Sequence, residues 1–452
     1  PQSSRLGGRS GDAARAVKIG GDGRPGPPAV RISRAPTPVP PRLDVDQSAV
    51  RDHDSGPLLV LAGPGTGKTT TIVEAVAARL GGPRPLAPDD VLVLTFGRAA
   101  ARELRGRIAA RLTSVSLPTV ATFHAFAWQF LRRHADPDTS ASRLLSGPEQ
   151  DLAVREMLAG HVEAGAASWP ETLRPALATG GMARELRSLM GAARGRGLEP
   201  DDFAALAQRN DQQDWTAAAD FFEEYLQVLD MRGALDYSEL IHRARALAQA
   251  DPSLRGRYRA IYVDEFQDTD PGQVALLASL VTPTTALVAV GDPDQSIYRF
   301  RGADVRGILG FPDAFRDVDG EPAPTRVLTR SRRFGPEIRA VADAWISRVS
   351  LSPLPVSVAR AHRSPACEGA PGTVELALFG SVAEQSTGLA DLLRRAHLDQ
   401  DSPMAWSDMA VLVRAGTEDI PRLQRAFVAA GIPVEVPTSD LPFGQDPALA
   451  PL

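Results

Sequence analysis

Along most of the chain, short unbroken apolar runs alternate with longer stretches of helical period. The runs lie at 58–62 (LLVLA), 91–96 (VLVLTF), 119–122 (TVAT), 260–264 (AIYVD) and 286–291 (ALVAVG). Each ends in polar or glycine-rich punctuation and is followed by a helical pattern. A half-exposed strand would alternate apolar and polar residues, whereas strands apolar on both faces belong to parallel sheets covered by helices on both sides. The pattern therefore predicts an α/β fold built on a parallel sheet.

Two stretches depart from this rhythm. Residues 140–235 are almost entirely helical in pattern, as in DFFEEYLQVLDMRG, and read as a helical insertion into the sheet domain. After 325 a second α/β series begins, with strands expected near 326–329 (RVLT), 373–379 (TVELALF), 409–413 (MAVLV) and 432–436 (IPVEV). Its helices are expected at about 336–349, 382–397 and 418–430, and it stops before a sheet of ordinary size is complete. Trp128, Trp169, Trp215 and Trp345 fall in helical patterns and are expected in cores. Residues 1–43 are rich in Pro, Gly and Arg with no hydrophobic period, the composition of a disordered basic leader. The expected division is a leader at 1–43, a sheet domain at 44–139 and 236–324, a helical insertion at 140–235 and a partial second sheet domain at 325–452. A start at Pro1 rather than Met points to a processed or partial chain.

Composition narrows the class. At 452 residues, with 43% hydrophobic, the chain can build two or three cores. A net charge of −5 excludes a wholesale basic nucleic-acid binder but leaves room for a local cationic groove. The single cysteine, Cys367, excludes an internal disulfide framework and a cysteine-based zinc site. No apolar run reaches the roughly 18 residues that span a bilayer, and no signal-peptide segment opens the chain, so a cytoplasmic protein without membrane partners is expected. Of the 50 basic residues only Lys18 and Lys68 are lysines. Where arginine is used almost everywhere, Lys68 marks a place where arginine does not serve.

Lys68 closes the segment Ala62-Gly63-Pro64-Gly65-Thr66-Gly67-Lys68-Thr69, followed by Thr70, between the strand 58–62 and a helix. Strand, glycine turn and helix in this order form a phosphate-binding loop. The glycines let backbone N–H groups curl around an anion, and the helix N-terminus adds its positive end. Lys68 is a compact charge for β- and γ-phosphate oxygens, and Thr69 offers a hydroxyl to Mg²⁺. Asp264-Glu265, at the end of the strand 260–264, supplies a second Mg²⁺ ligand (Asp264) and a base for an attacking water (Glu265). Gln295, after Gly291-Asp292-Pro293-Asp294, is placed to sense a γ-phosphate at another strand's carboxyl end. Chance glycine turns and solvated acidic turns are the bland alternatives, and their joint order along the chain argues against them.

A surface for single-stranded nucleic acid needs aromatic faces for bases and scattered cations for phosphates. Phe96, Phe123, His124, Tyr298 and Phe300 each follow a predicted strand end, where an aromatic is exposed, and Arg98, Arg299 and Arg301 interleave with them.

These pieces in this order resemble the superfamily 1 helicases of the UvrD, Rep and PcrA type, over about 44–452. Gln47 in LDVDQSAV matches the family's adenine-reading glutamine. Thr95-Phe96 with AAARELRGRI, and Thr122-Phe123-His124-Ala125, look like its DNA-contacting motifs. DEFQDT and VGDPDQSIYRFRGA are close to its wording, and Leu235-Asp236-Tyr237-Ser238-Glu239-Leu240 resembles the motif that re-enters the first motor domain. Within the family, GPLLVLAGPGTGKTTTIVEAV and LTRSRRFGPEI look most like the actinobacterial AdnB and AdnA helicase-nuclease subunits. The resemblance implies RecA-like motor domains, ATP and Mg²⁺ as cofactors, and single-stranded or duplex-end DNA as substrate. It also implies 3′-to-5′ movement in DNA repair or double-strand-break processing, and a homologous motor-nuclease subunit as partner. Arg333, in SRRF, falls where the family's second domain sends an arginine to the γ-phosphate. Arg332 stands where the family commonly has an aromatic. The later motifs, including a second arginine finger, are absent, so slow hydrolysis and no unwinding are expected of residues 1–452. An ATP-responsive DNA-binding subunit without effective hydrolysis is the alternative. A P-loop kinase is disfavoured by the 196 residues (264 − 68) between Lys68 and Asp264.

Overall fold

The structure, a computed structural model, describes residues 40–112, 116–134, 143–299, 302–414 and 416–436. The expected leader falls outside it except for its last few residues. The chain forms two compact units. One runs through Ser331 and takes in Leu351–Ala366; the other holds Arg332–Ser350 and the chain from Cys367 onward.

In the first unit the strands include β1 (Pro57–Ala62), β2 (Val91–Thr95), β3 (Thr119–Thr122), β4 (Arg143–Leu144), β5 (Ala234–Leu235), β6 (Ala260–Val263), β7 (Ala286–Gly291) and β8 (Thr325–Leu328). Six of them form one sheet in the order β3-β2-β6-β7-β1-β8, and every adjacent pair is parallel. Successive side chains of a strand point to opposite faces. Accordingly Leu59, Leu61, Leu92, Leu94, Ile261 and Val263 pack in one core, and Leu58, Val60, Val91, Val93, Ala260 and Tyr262 in another. The helices Lys68–Gly81 and Arg98–Arg111 cover the second face through Ile72, Val76, Leu104 and Ile108. The helices Phe123–His134, Tyr237–Ala250 and Pro271–Leu280 cover the first through Phe126, Phe130, Leu240 and Leu277. The all-apolar strand runs in the sequence thus correspond to burial on both faces.

Register places the strands' carboxyl ends level with one another. Leu61 pairs with Gly291, Leu94 with Val263 and Val263 with Ala289. The glycine loop after β1, the acids after β6 and the polar turn after β7 therefore leave the sheet at one edge, where ligands of parallel sheets bind.

β8 corrects the sequence reading. Residues 326–329 open a second series in the sequence, but β8 adds to the first sheet, with Val60 opposite Arg326 and Leu61 opposite Val327. Its membership is decided by a free edge of β1 far away in sequence.

Between β4 and β5, the helices Gly147–Glu163, Gly180–Gly195, Pro200–Arg209 and Gln213–Met231 bury their own core of Trp169, Phe221, Phe222 and Tyr225. β4 and β5 pair in parallel, drawing the two ends of this helical stretch together. A capping box starts the first of these helices: Glu149 accepts the backbone N–H of Ser146 at 2.7 Å.

In the second unit, Pro336–Ile346, Val382–Leu398 and Gly416–Ala429 are helical, close to expectation. Ala390, Leu423, Phe427 and Ile432 form its small core. The strands expected at 373–379, 409–413 and 432–436 do not form ladders among the described residues. A strand exists only against a partner, and Leu376, Leu378 and Leu412 stand at least 90% exposed with no sheet beside them. Trp169 is core as expected, whereas Trp215 and Trp345 are exposed. No described helix is long and apolar enough to cross a membrane.

Candidate nucleotide site and aromatic surface

At the carboxyl end of β1 the chain turns through Gly63–Gly67. Gly65 (φ 75°) and Gly67 (φ 90°) adopt left-handed backbone that a side chain would strain. Thr66 faces inward and closes the loop, its Oγ1 donating to the Gly63 carbonyl at 2.8 Å. Gly67 starts the helix Lys68–Gly81 without a side-chain cap, so the helix's first N–H groups remain for an anion. Thr69 and Thr70 lie in the first turn. The Thr70 hydroxyl accepts from Arg107 Nη2 at 2.8 Å.

Gln47 braces this loop from the helix Val45–Arg51. It is 3% exposed; its Nε2 donates to the Thr66 carbonyl at 3.1 Å and its Oε1 accepts from the Asp44 N–H at 3.1 Å. A Cβ on Gly67 would come within 2.6 Å of that Nε2. The amide expected to read a base therefore holds protein atoms at both ends, keeping one N–H and one oxygen lone pair in reserve.

β6 delivers the acids. The Asp264 N–H donates to the Leu94 carbonyl at 2.9 Å, continuing the ladder one step beyond β6. Glu265 follows with left-handed backbone (φ 52°, ψ 46°), a conformation costing on the order of 1 kcal/mol or more in a non-glycine residue. In that geometry its Oε2 lies 2.9 Å from Lys68 Nζ. Burial, and then the charge of Glu265, push the Asp264 carboxyl up to about 7, against the attraction of Lys68. Asp268 is pushed up to about 6 by burial and by Glu265. Buried, acidic and beside a cationic loop, Asp264 is the type of oxygen donor that a hard divalent cation takes.

Gln267, which the sequence reading passed over, joins the two acidic turns. Its Nε2 donates to Glu265 Oε2 at 2.9 Å and Asp268 Oδ2 at 3.2 Å, while its Oε1 accepts from the Asp292 N–H at 2.9 Å. In the turn after β7, Gln295 Nε2 donates to Asp292 Oδ2 at 2.5 Å. Burial would raise the Asp292 carboxyl, but the hydrogen bond and charge of His362 and the bond from Gln295 hold it below its ordinary value. His362 had no signal in the sequence. Lys68, Asp264, Glu265 and Gln295 thus gather at one sheet edge. Arg333 belongs to the second unit, where it is exposed, and Arg332 stands 4.0 Å from Glu368.

Of the expected aromatic surface, Phe96 and Tyr298 come together. Their rings stack with centroids 4.6 Å apart after the ends of β2 and β7, with Arg98 and Arg299 exposed nearby in sequence. Phe123 requires correction: it is 2% exposed and packs in the core beneath the sheet, because the helix begins at Phe123 and turns it inward. His124, half-buried, packs edge-on against Tyr237 at 4.9 Å, and burial with the nearby Arg98 charge pulls its pKa down to about 4. It is neutral at neutral pH, offering a ring rather than a charge. Phe300 and Arg301 lie outside the described residues.

Comparison with known proteins agrees with this architecture. ATP-dependent DNA helicase UvrD1 of Mycobacterium tuberculosis is 28% identical over 421 residues, covering 87% of this chain and 49% of the relative. DNA helicase II of Escherichia coli is 28% identical over 385 residues, 84% of this chain and 49% of the relative. ATP-dependent DNA helicase PcrA of Bacillus subtilis is 31% identical over 275 residues, 59% and 35%. The chain spans about half the length of the first two of these relatives. Residues 43–316, which carry the glycine loop, the acidic pair and the Gln295 turn, match the UvrD/REP helicase N-terminal domain, and the chain belongs to that family.

Proposed function

We propose that this chain carries the nucleotide-binding part of an ATP-driven DNA motor, a 3′-to-5′ helicase or translocase acting in DNA repair or break-end processing. The observation that carries the reading is the Lys68–Glu265 pair at 2.9 Å, which sets a phosphate-seeking cation against a water-activating base. A kinase that transfers phosphate to a small molecule would not need a water activator.

In this reading the N–H groups of Gly63 and of Gly65–Thr70 cradle the phosphates, with Ala62 ending the strand that aims them, and Lys68 moves from Glu265 to the β- and γ-phosphate oxygens. Released from Lys68, Glu265 orients and deprotonates the attacking water. Thr69 and Asp264 would hold Mg²⁺, which would neutralise phosphate charge. Gln295 reports the γ-phosphate, Gln47 holds the loop in shape beside the base, and Arg333 is the arginine that the family resemblance assigns to transition-state charge. Phe96 and Tyr298 offer stacking faces to single-stranded DNA, with His124 and Arg98 beside them. The relatives' names support a DNA motor. The finer likeness to AdnA and AdnB, with a motor-nuclease partner, rests on the SRRF and glycine-loop wording. The test is phosphate release by the purified chain with and without single-stranded DNA. Stimulation by DNA supports the reading, and nucleotide binding without any hydrolysis, stimulated or not, leaves the chain an ATP-responsive DNA-binding subunit.

A further inference from the structure

The turn that carries Gln295 is held from an unexpected direction. The segment Leu351–Ala366 belongs to the first unit, yet the chain on both sides of it belongs to the second. Leu351 and Leu354 anchor it in the core under the sheet, and the helix Val356–His362 ends against the Gln295 turn. There His362, 3% exposed, donates from Nε2 to Asp292 Oδ1 at 3.0 Å. Arg363 grips the next acid, its Nε donating to Asp294 Oδ2 at 2.8 Å and its Nη2 to Oδ1 at 2.5 Å. The donor atoms of Asp292, Asp294 and His362 lie within 4.8 Å of one another, a spacing that suits a cation. Here each carboxylate already has protein donors.

The bonding of Asp292 shows what the histidine does. The Asp292 main chain is fixed by Gln267, and its Oδ1 also accepts the Asp294 N–H at 3.0 Å. The remaining freedom is rotation of the carboxylate, a soft torsion. Oδ1 receives His362 beside the Asp294 N–H and Oδ2 receives Gln295, so the imidazole on one oxygen helps to set the carboxylate plane that holds the amide on the other.

We propose that His362 is a positioning residue for phosphate sensing: through Asp292 it sets the Gln295 amide, and so ties the segment Leu351–Ala366 to the turn that reads the γ-phosphate. This rests on the nucleotide reading above. Because the segment leads into the second unit at both ends, the arrangement gives the covalent chain a route by which nucleotide state reaches that unit.

The test compares ATP and ADP affinity in the purified chain, using fluorescent analogues with Mg²⁺. His362→Leu keeps bulk and loses the donor. It should reduce the preference for ATP over ADP about three- to tenfold, the net effect of about one hydrogen bond. Gln295→Ala should do the same, and the double variant should lose no more than the larger single effect. His362→Gln, which keeps an N–H donor, should restore the preference. Additive losses, or an unchanged preference in His362→Leu, would overturn the proposal. In the ligand-free chain the Gln295 side-chain amide resonance should shift in His362→Leu, and an unmoved resonance overturns the proposal irrespective of nucleotide. A wild-type chain that binds neither nucleotide refutes the nucleotide reading instead, and the resonance still decides the coupling. If the leucine variant does not fold, His362→Asn, too short to reach Asp292, carries the same comparison.

Discussion

Lys68 Nζ stands 2.9 Å from Glu265 Oε2, an ion pair between residues 197 apart in sequence that joins the ends of β1 and β6. The ammonium is nearly buried and the carboxylate about one-third exposed. In the proposed nucleotide reading, a phosphate entering the glycine loop would compete with Glu265 for Lys68, and its arrival would release the carboxylate. On that reading, binding and base activation would be two consequences of one exchange.

Lys68→Ala is expected to abolish most nucleotide binding and hydrolysis while leaving the fold intact, since the Glu265 left behind reaches solvent. Lys68→Arg is expected to fail as well, because a planar guanidinium does not replace a compact ammonium among phosphate oxygens. Equilibrium binding, phosphate release and thermal melting measured together check this. Wild-type turnover in either variant refutes the assignment.

Glu265→Gln keeps the shape and loses the base. Hydrolysis should drop by about 10² or more, while ATP affinity should hold or rise, because the competitor for Lys68 has lost its charge. Asp264→Asn should weaken the Mg²⁺ dependence of ATP binding instead. Titrating Mg²⁺ against bound nucleotide separates the two, and equal affinity losses would contradict the divided roles.

His124 gives a pH prediction. Its pKa falls from 6.5 to about 4 on folding, chiefly through burial. Below 6.5 the unfolded chain takes up a proton that the folded chain refuses. The contribution present above that pH is therefore lost as pH falls towards 4, an effect of at most about 3 kcal/mol, and less with partial exposure. His124→Gln removes the titration. Urea unfolding at pH 7 and pH 4.5 should show the variant losing less stability on acidification than the wild type. Parallel losses in both proteins would mean that His124 is open to solvent.

The sheet and the glycine loop were legible because their signals are local. β1, β2, β6 and β7 are apolar at nearly every position, and Gly65 and Gly67 sit where left-handed backbone is needed. What could not be read depends on distant partners. β8 looked like the start of a new series because nothing within it names β1 as its neighbour. Residues 373–379 and 409–413 have strand composition, yet composition cannot supply a ladder. Phe123 follows a strand end, as Phe96 does, but the helix starting at Phe123 rotates it inward. His362 meets Asp292 across 70 residues, and no spacing announces it. Gln267 was nearer to hand: an amide two residues after Glu265 and directly before Asp268, both of which it bonds, is a signal that the acids alone obscured.

The Phe96–Tyr298 stack yields the sharpest test of the proposed DNA surface. The rings are 4.6 Å apart, tilted by 27° and both partly exposed. A base stacking on this pair is worth about 1–3 kcal/mol, and alanine at either position should weaken single-stranded DNA binding by that amount. Because each ring supports the other, the double variant should lose clearly less than the sum of the single losses. ATP binding without DNA should change little, since neither ring is bonded to the glycine loop. Fluorescence anisotropy with a labelled oligonucleotide, together with melting curves, decides the matter. Additive losses would assign the two rings to separate bases. Undiminished DNA binding in both folded variants would leave the pair a local packing contact, and the strand would then have to cross elsewhere.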